Sequence, residues 1–239
     1  AGLSLESKVL QLGVRRFGFG HPMETRYCKA NMAMRLAYRA VELAVRRRED
    51  ASYDADIMEI VTVGQLLNWS YANLAMAHAA VMDNAQRYGP KHFMIRSRLH
   101  TGLNKGTMAM GALADDERLK MVLPQACCYC GAQERLSVDH LIPTKRGGAN
   151  IGENFVWACG ACNSSKGAQD MLGWLAGRNE FPALLLLRRY LKLAVGICEA
   201  RQVMEIPLHS VPALPFELER VPRRYPPPSQ LRLWVVPLG

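Results

Sequence analysis

The sequence predicts a mainly α-helical chain with a small α+β core, and three observations predict it. Apolar side chains recur at helical spacing in the first half of the chain, with charged side chains on the opposite face. Two Cys-x-x-Cys pairs enclose short strand-like segments. A Pro-rich segment then closes the chain, and such a segment favours extended or polyproline conformations over a core of its own.

These signals divide the 239 residues into four parts. A basic helical domain covers 1–124, a cysteine-rich module 125–176, a C-terminal helix 177–205 and an extended Pro-rich tail 206–239. The tail must lie against something to become ordered, and either the body of this chain or a protein or ribonucleoprotein partner would serve.

Helical periodicity and end signals place the individual helices. The stretch from Ile60 to Met82 carries no acidic or basic residue and is long enough to cross a bilayer. Its Gln, Asn, Ser and His side chains predict a buried central helix and no membrane contact. The predicted helices are Cys28 to Arg48, a helix capped by Asp54 or Asp56 that ends near Arg87, residues 91–105, a short helix from Asp115 to Val122, and Ala183 to Met204.

The net charge of +9 favours a polyanionic partner, because Lys and Arg contacts to phosphates release counterions. Most of the basic excess precedes the cysteine-rich module. The alternative for each basic group is a solvated helix face or helix end that keeps the protein soluble. The candidate nucleic-acid-binding residues are Arg46, Arg47, Arg48, Lys91, Arg96, Arg98, Lys105, Lys145 and Arg146.

Cysteine usage indicates bound zinc in a reducing intracellular compartment. The count of seven is odd, and four cysteines are paired at two-residue spacing, which argues against a secreted disulfide framework. Four thiolates suit a closed, structural, tetrahedral zinc site. Its predicted ligands are Cys127, Cys130, Cys159 and Cys162. The first residue is Ala, and Arg15 and Arg16 follow in a segment with a single acid, so an organellar matrix is a second expectation for the compartment.

The residues between the two cysteine pairs predict a β-hairpin. Arg135 to Leu141 has strand character, a Gly-rich loop follows, and Phe155 to Ala158 supplies the return strand. A helix is expected to begin near Cys162. Zinc would then pin the open end of a ββα unit.

The ordered combination of these pieces resembles the zinc-stapled form of the HNH (His-Asn-His) nuclease family. Residues 127–167 read CCYCGAQERLSVDHLIPTKRGGANIGENFVWACGACNSSKG, with Asp-His, Asn and Cys-Asn-x-x-Lys-Gly in the family's order. The resemblance implies a ββα-metal fold for this module and does not extend to the rest of the chain.

The resemblance also implies roles for five residues. His140 matches the general base that takes a proton from the attacking water, and Asp139 matches a ligand of a catalytic divalent ion. Asn154 matches the middle Asn, which holds the hairpin loop and orients the base. Asn163 stands where the family name expects a second His, an HNN variant whose amide oxygen suits Mg²⁺ or Mn²⁺. Lys166 resembles a residue placed to meet phosphate charge.

Two functions of different classes follow from the resemblance. The first is a metal-dependent endonuclease that hydrolyses nucleic-acid phosphodiester bonds, with DNA favoured over RNA. The alternative is a non-catalytic, RNA-binding HNH-fold subunit of a large ribonucleoprotein, such as an organellar (mitochondrial) ribosome. A zinc-ribbon binding module is a third interpretation, which leaves Asp139, His140 and Asn163 without a purpose.

Overall fold

The computed structural model describes residues 60–237 and, before them, five helical positions at residues 34, 37 and 39–41. These five lie inside the helix predicted from Cys28 to Arg48, and the remainder of that helix lies outside the described residues. The described part is mainly helical with one two-stranded sheet, which confirms the predicted fold class.

Six α-helices and two strands make up the framework of residues 60–237. Short 3₁₀ turns connect them at 144–146, 152–154, 208–210, 218–220 and 228–230. The helices are α1 (Val63–Met82), α2 (Pro90–Asn104), α3 (Leu113–Val122), α4 (Gly160–Lys166), α5 (Met171–Ala176) and α6 (Leu184–Ala200), and the strands are β1 (Leu136–His140) and β2 (Phe155–Cys159).

Helix α1 begins later than the sequence predicted, because its cap is Thr62 and neither Asp54 nor Asp56. The Thr62 hydroxyl accepts from the Gln65 N–H at 3.3 Å, and the Gln65 side chain accepts from the Thr62 N–H at 3.2 Å. This reciprocal pair is a capping box. The helix ends at Met82 and therefore stops short of Arg87.

The main core lies where α1 packs on α2 and α6. Val63, Leu67, Leu187 and Leu191 are fully buried there. Helices from both sides of residue 124 therefore share one core. No helix among the described residues combines the length and apolar character that a bilayer crossing needs.

Helix α6 ends at Ala200, four residues before the predicted end at Met204. Gln202 has a φ of 56°, in the left-handed region that terminates a helix. Cys198 on this helix is fully buried, and burial raises the pKa of its thiol to about 11.

Strands β1 and β2 form the predicted hairpin. They pair antiparallel with Leu136 opposite Cys159 and His140 opposite Phe155. The cysteine end of the hairpin is thus its open end, and His140 lies at the loop end. Helix α4 follows β2 directly, which completes the ββα order.

The Pro-rich tail lies on the body of its own chain. The Trp69 indole N–H donates to the Arg223 carbonyl at 2.8 Å, and the Tyr88 hydroxyl donates to the Pro226 carbonyl at 2.8 Å. The Tyr225 side chain is buried, and its hydroxyl donates to the Ser70 carbonyl at 2.9 Å. The sequence predicted that the tail would lie on the body of its own chain or on a partner, and the described residues show contacts with the body of the chain.

The tail also caps helix α6. The N–H groups of Leu184 and Leu185 donate to the carbonyls of Arg232 and Leu233 at 2.9 and 3.1 Å. The first N–H groups of any helix lack partners within it, and here the tail supplies two of the missing acceptors. The tail therefore contributes to the stability of the helical core.

We expect Tyr225→Ala to lower the free energy of unfolding by about 3 kcal/mol, because it removes a buried ring and its hydrogen bonds. Chemical denaturation measures this loss. Limited trypsin digestion should cut the unmodified protein slowly after Arg223 and Arg224 and cut the variant rapidly, since cleavage requires local unfolding.

Ser229→Ala serves as the control because Ser229 is an exposed residue of the same tail. It should leave both the unfolding curve and the digestion unchanged. Rapid cleavage of the tail in the unmodified, isolated protein would contradict the packing described above.

Candidate active site and metal centre

The four predicted cysteine ligands converge on one point. The sulfurs of Cys127, Cys130, Cys159 and Cys162 all lie within 4.8 Å of one another, and those of Cys130 and Cys159 are 3.7 Å apart. A tetrahedral zinc ion with Zn–S distances of about 2.3 Å requires sulfurs about 3.8 Å apart. The donor set and its spacing therefore fit zinc.

The protonation of these thiols is set by their surroundings. The Cys162 N–H donates to the Cys159 sulfur and lowers the pKa of that thiol to about 7, which favours the thiolate that a metal ion binds. Burial raises the pKa of Cys128 well above its usual range. Cys128 lies outside the cluster and is a buried neutral thiol.

Strand alternation places Asp139 and His140 on opposite faces of β1. Asp139 is buried and His140 is partly exposed. The His140 Nε2 lies 2.9 Å from the Asn150 Oδ1, and its ring meets the Phe155 ring edge-on at 5.0 Å. The imidazole is thus held against the loop that joins the strands, and it remains partly exposed to solvent.

Asn154 fastens the loop that joins the two strands. Its side chain is buried, and its Oδ1 accepts from the Ile142 N–H at 2.9 Å. Its Nδ2 donates to the carbonyls of Ile142 and Ala149, both at 2.8 Å. Three hydrogen bonds from one amide fix the loop immediately beyond His140. Asn150, which contacts His140, lies beside Ala149 in this loop.

The Asp139 carboxylate is fully engaged within the protein. Its Oδ1 accepts from the His140 N–H at 2.8 Å, and its Oδ2 accepts from the Tyr129 hydroxyl at 2.6 Å. The Lys166 Nζ lies 3.1 Å from both oxygens. Four donor contacts fill the acceptor positions that an ionised carboxylate offers.

Lys166 lies in a different environment from the one the sequence predicted. Its side chain is fully buried, and its ammonium donates to Asp139 and, at 2.8 Å, to the His140 carbonyl. It faces the interior rather than a bound phosphate. The reason is geometric, since α4 packs against β1 and brings Lys166 next to the His140 carbonyl.

Asn163 lies at the surface, where its Nδ2 donates to the Ser137 hydroxyl at 3.1 Å and to the Val138 carbonyl at 3.3 Å. Its amide therefore joins α4 to β1. Within residues 60–237, the cysteine cluster is the one group of three or more His, Cys, Asp or Glu side chains placed to share an ion.

The arrangement does not fit a divalent ion held by Asp139 and Asn163. Asp139 already has the Lys166 ammonium as its counterion. A divalent ion bound to Asp139 would have to share that carboxylate with the buried positive charge of Lys166. Asp139 and Asn163 are therefore not assigned as ligands of a divalent ion.

The predicted basic residues separate into three groups. Arg46, Arg47 and Arg48 lie outside the described residues. Arg96 is buried, with its guanidinium over the rings of Trp69 and Phe93, so it does not face solvent as predicted. The remaining candidates are exposed: Lys91 and Arg98 on α2, Lys105 at its C-cap, and Lys145 and Arg146 in the hairpin loop, where Arg146 pairs with Glu217 of the tail at 3.1 Å.

Two residues outside the motif support the hairpin, and the sequence pattern did not identify them. The Lys120 ammonium donates to the carbonyls of Gly152 and Phe155, each at 3.2 Å. The Arg189 guanidinium donates to the Glu153 carbonyl at 3.2 Å. Helices α3 and α6 thereby hold the turn that contains Asn154, and no local sequence signal marks this pairing.

The fold and the site together define a ββα module with a four-cysteine cluster placed to bind a metal ion, carried by a helical body. Residues 127–169 match the family model described as HNH endonuclease, which confirms the resemblance inferred from the motif. Neither the comparison with curated proteins nor the comparison with solved structures finds a match for the chain.

We expect the protein to bind one zinc ion and Cys162→Ser to abolish that binding, because three thiolates do not close a tetrahedral site. The loss should lower the melting temperature by roughly 10 °C or more. Metal analysis of the purified protein and thermal unfolding measure the two effects.

Cys128→Ser is the matched control, since Cys128 adjoins a ligand but lies outside the cluster. It should retain zinc at full stoichiometry. Zinc loss in the Cys128 variant, or full zinc in the Cys162 variant, would contradict the assigned ligands.

Proposed function

We propose that the protein is an endonuclease that hydrolyses phosphodiester bonds of nucleic acid, with DNA as the favoured substrate and His140 as the general base. One observation carries the proposal: the HNH segment presents a partly exposed imidazole whose orientation is fixed by Asn150. Imidazole is the side chain best suited to proton abstraction from water at neutral pH.

The contact with Asn150 determines which ring nitrogen of His140 can act as the base. An amide oxygen can only accept, so the His140 Nε2 carries the ring proton and donates it to the Asn150 Oδ1. The Nδ1 is then the atom left to take a proton from an attacking water. The hydroxide formed in this way would attack phosphorus in line with the 3′-oxygen. The P–O3′ bond would then break, and the leaving 3′-oxygen would take a proton from solvent to give a 3′-hydroxyl and a 5′-phosphate.

Backbone contacts to the substrate would come from outside the hairpin. Lys91 and Arg98 on α2 and Lys105 at its C-cap are exposed and recur every seven residues, so they form one stripe, the α2 stripe, with neighbours about 10 Å apart. Contacts of this kind position a nucleic acid without reading its sequence. Lys145 and Arg146 add positive charge in the loop that follows β1.

The second candidate is a non-catalytic, RNA-binding subunit of a large ribonucleoprotein. The engagement of Asp139 by Lys166 favours it, because the carboxylate expected to hold a catalytic ion is used inside the protein. The tail gives it no support, since the tail finds its contacts on its own chain. Cleavage activity separates the two candidates.

We expect His140→Ala to reduce cleavage of supercoiled plasmid by roughly 10²- to 10⁴-fold, because the general base is removed. Nicking by the zinc-loaded protein is followed with Mg²⁺, with Mn²⁺ and with neither ion. His209→Ala, at an exposed histidine far along the chain, should leave the rate unchanged.

Failure of the folded, zinc-loaded protein to cut plasmid, branched DNA or RNA under any of these conditions would overturn the nuclease and favour the ribonucleoprotein subunit. Equal rates for the His140 variant and the unmodified protein would instead reject His140 as the base.

Alanine at Lys91, Arg98 and Lys105 together should weaken nucleic-acid binding. The slope of log K against log salt should fall by about 0.9 for each phosphate that the protein no longer neutralises, close to 3 in total for duplex DNA. Fluorescence anisotropy over a range of salt concentrations measures both changes.

A triple variant of equal charge serves as the control for the α2 stripe. Arg118, Arg178 and Arg220 are exposed and lie on other elements. Their replacement by alanine should change the affinity and the salt slope much less. Equal effects of the two triple variants would show that the net charge, and not the α2 stripe, determines binding.

A further inference from the structure

One buried ion pair holds both backbone polar groups of His140. The His140 N–H donates to the Asp139 Oδ1 at 2.8 Å, and the His140 carbonyl accepts from the Lys166 Nζ at 2.8 Å. Strand pairing alone would leave the last residue of a two-stranded sheet free to fray. The ion pair therefore determines where the His140 backbone lies.

Tyr129 anchors this ion pair to the zinc end of the module. It is buried between Cys128 and Cys130, its hydroxyl donates to Asp139 at 2.6 Å, and its ring meets the Trp174 ring edge-on at 5.0 Å. A continuous set of contacts thus runs from the first cysteine pair through Tyr129 to Asp139.

The donor capacity of Lys166 is fully used in this network. Its ammonium has three N–H donors, and the structure gives them three acceptors: the two Asp139 oxygens and the His140 carbonyl. With its side chain fully buried, Lys166 reaches no bound substrate. Removing Asp139 from this pair would leave an uncompensated buried charge, which is strongly destabilising.

We propose that Tyr129, Asp139 and Lys166 form a positioning network that fixes His140, and that Asp139 is not a metal ligand in this protein. This inference rests on the proposed role of His140 as the general base. None of the three residues touches the substrate. They act through the His140 peptide, and the network differs from the divalent-ion site that the sequence predicted.

Tyr129→Phe tests the network, and the chain supplies a matched control. The buried Tyr190 donates to the buried Asp170 at 2.7 Å, so Tyr190→Phe removes the same kind of hydrogen bond outside the set Tyr129, Asp139 and Lys166. We expect both variants to lose a comparable amount of thermal stability. Only Tyr129→Phe should lower kcat, by roughly tenfold to a hundredfold, with KM unchanged.

A second measurement does not depend on activity. Exchange of the His140 amide hydrogen, followed by NMR on the zinc-loaded full chain, should accelerate in Tyr129→Phe and stay unchanged in Tyr190→Phe. Equal exchange at His140 in the two variants would overturn the positioning role. An inactive unmodified protein would reject the proposed function alone, because the exchange data would still decide on the network.

Titration with Mn²⁺ tests the second half of the proposal. We expect no saturable paramagnetic broadening of the Asp139 and His140 amide signals in the zinc-loaded protein. Saturable broadening of these two signals would show that a divalent ion binds beside Asp139, and would overturn the inference.

Discussion

A hairpin of two five-residue strands is marginally stable in water, and the candidate site depends on this hairpin being held from outside. The cysteine cluster fixes its open end, where the Cys128 N–H also donates to the Trp157 carbonyl at 2.8 Å. Asn154 fixes the loop end. His140 lies between these two constraints, at the point where strand pairing stops.

The helical body supplies a third constraint. Lys120 and Arg189 reach from α3 and α6 to carbonyls in the turn before β2, so the position of Asn154 depends on how those helices pack. The body is therefore more than a carrier for the motif. A change in the packing between α3 and α6 would be transmitted to the loop beside His140 by these two cationic side chains.

The features predicted from the sequence are those encoded in local spacing. Two cysteine pairs and the strand-like segments between them predicted the cysteine cluster and the hairpin, and the family resemblance predicted that Asn154 holds the loop. The roles of Tyr129 and Asn150 depend on contacts between residues that local spacing does not relate, which a single sequence does not reveal. The expectation that Lys166 meets phosphate charge missed its burial for a similar reason. The motif gives its spacing from Cys162, whereas its burial depends on how α4 packs against β1.

The Asp139–Lys166 pair matters more for the position of the His140 backbone than for the free energy of unfolding. Replacing a buried ion pair by apolar side chains of similar volume is often neutral or stabilising, so such a pair is weak evidence for a stability role. Here its hydrogen-bonding groups are all satisfied, and two of those bonds end on the peptide groups of one residue, His140. An apolar replacement could fill the same space but could not hold that backbone. On the proposed positioning role, the two buried charges hold the backbone from which the imidazole projects, and Asn150 contacts the ring itself.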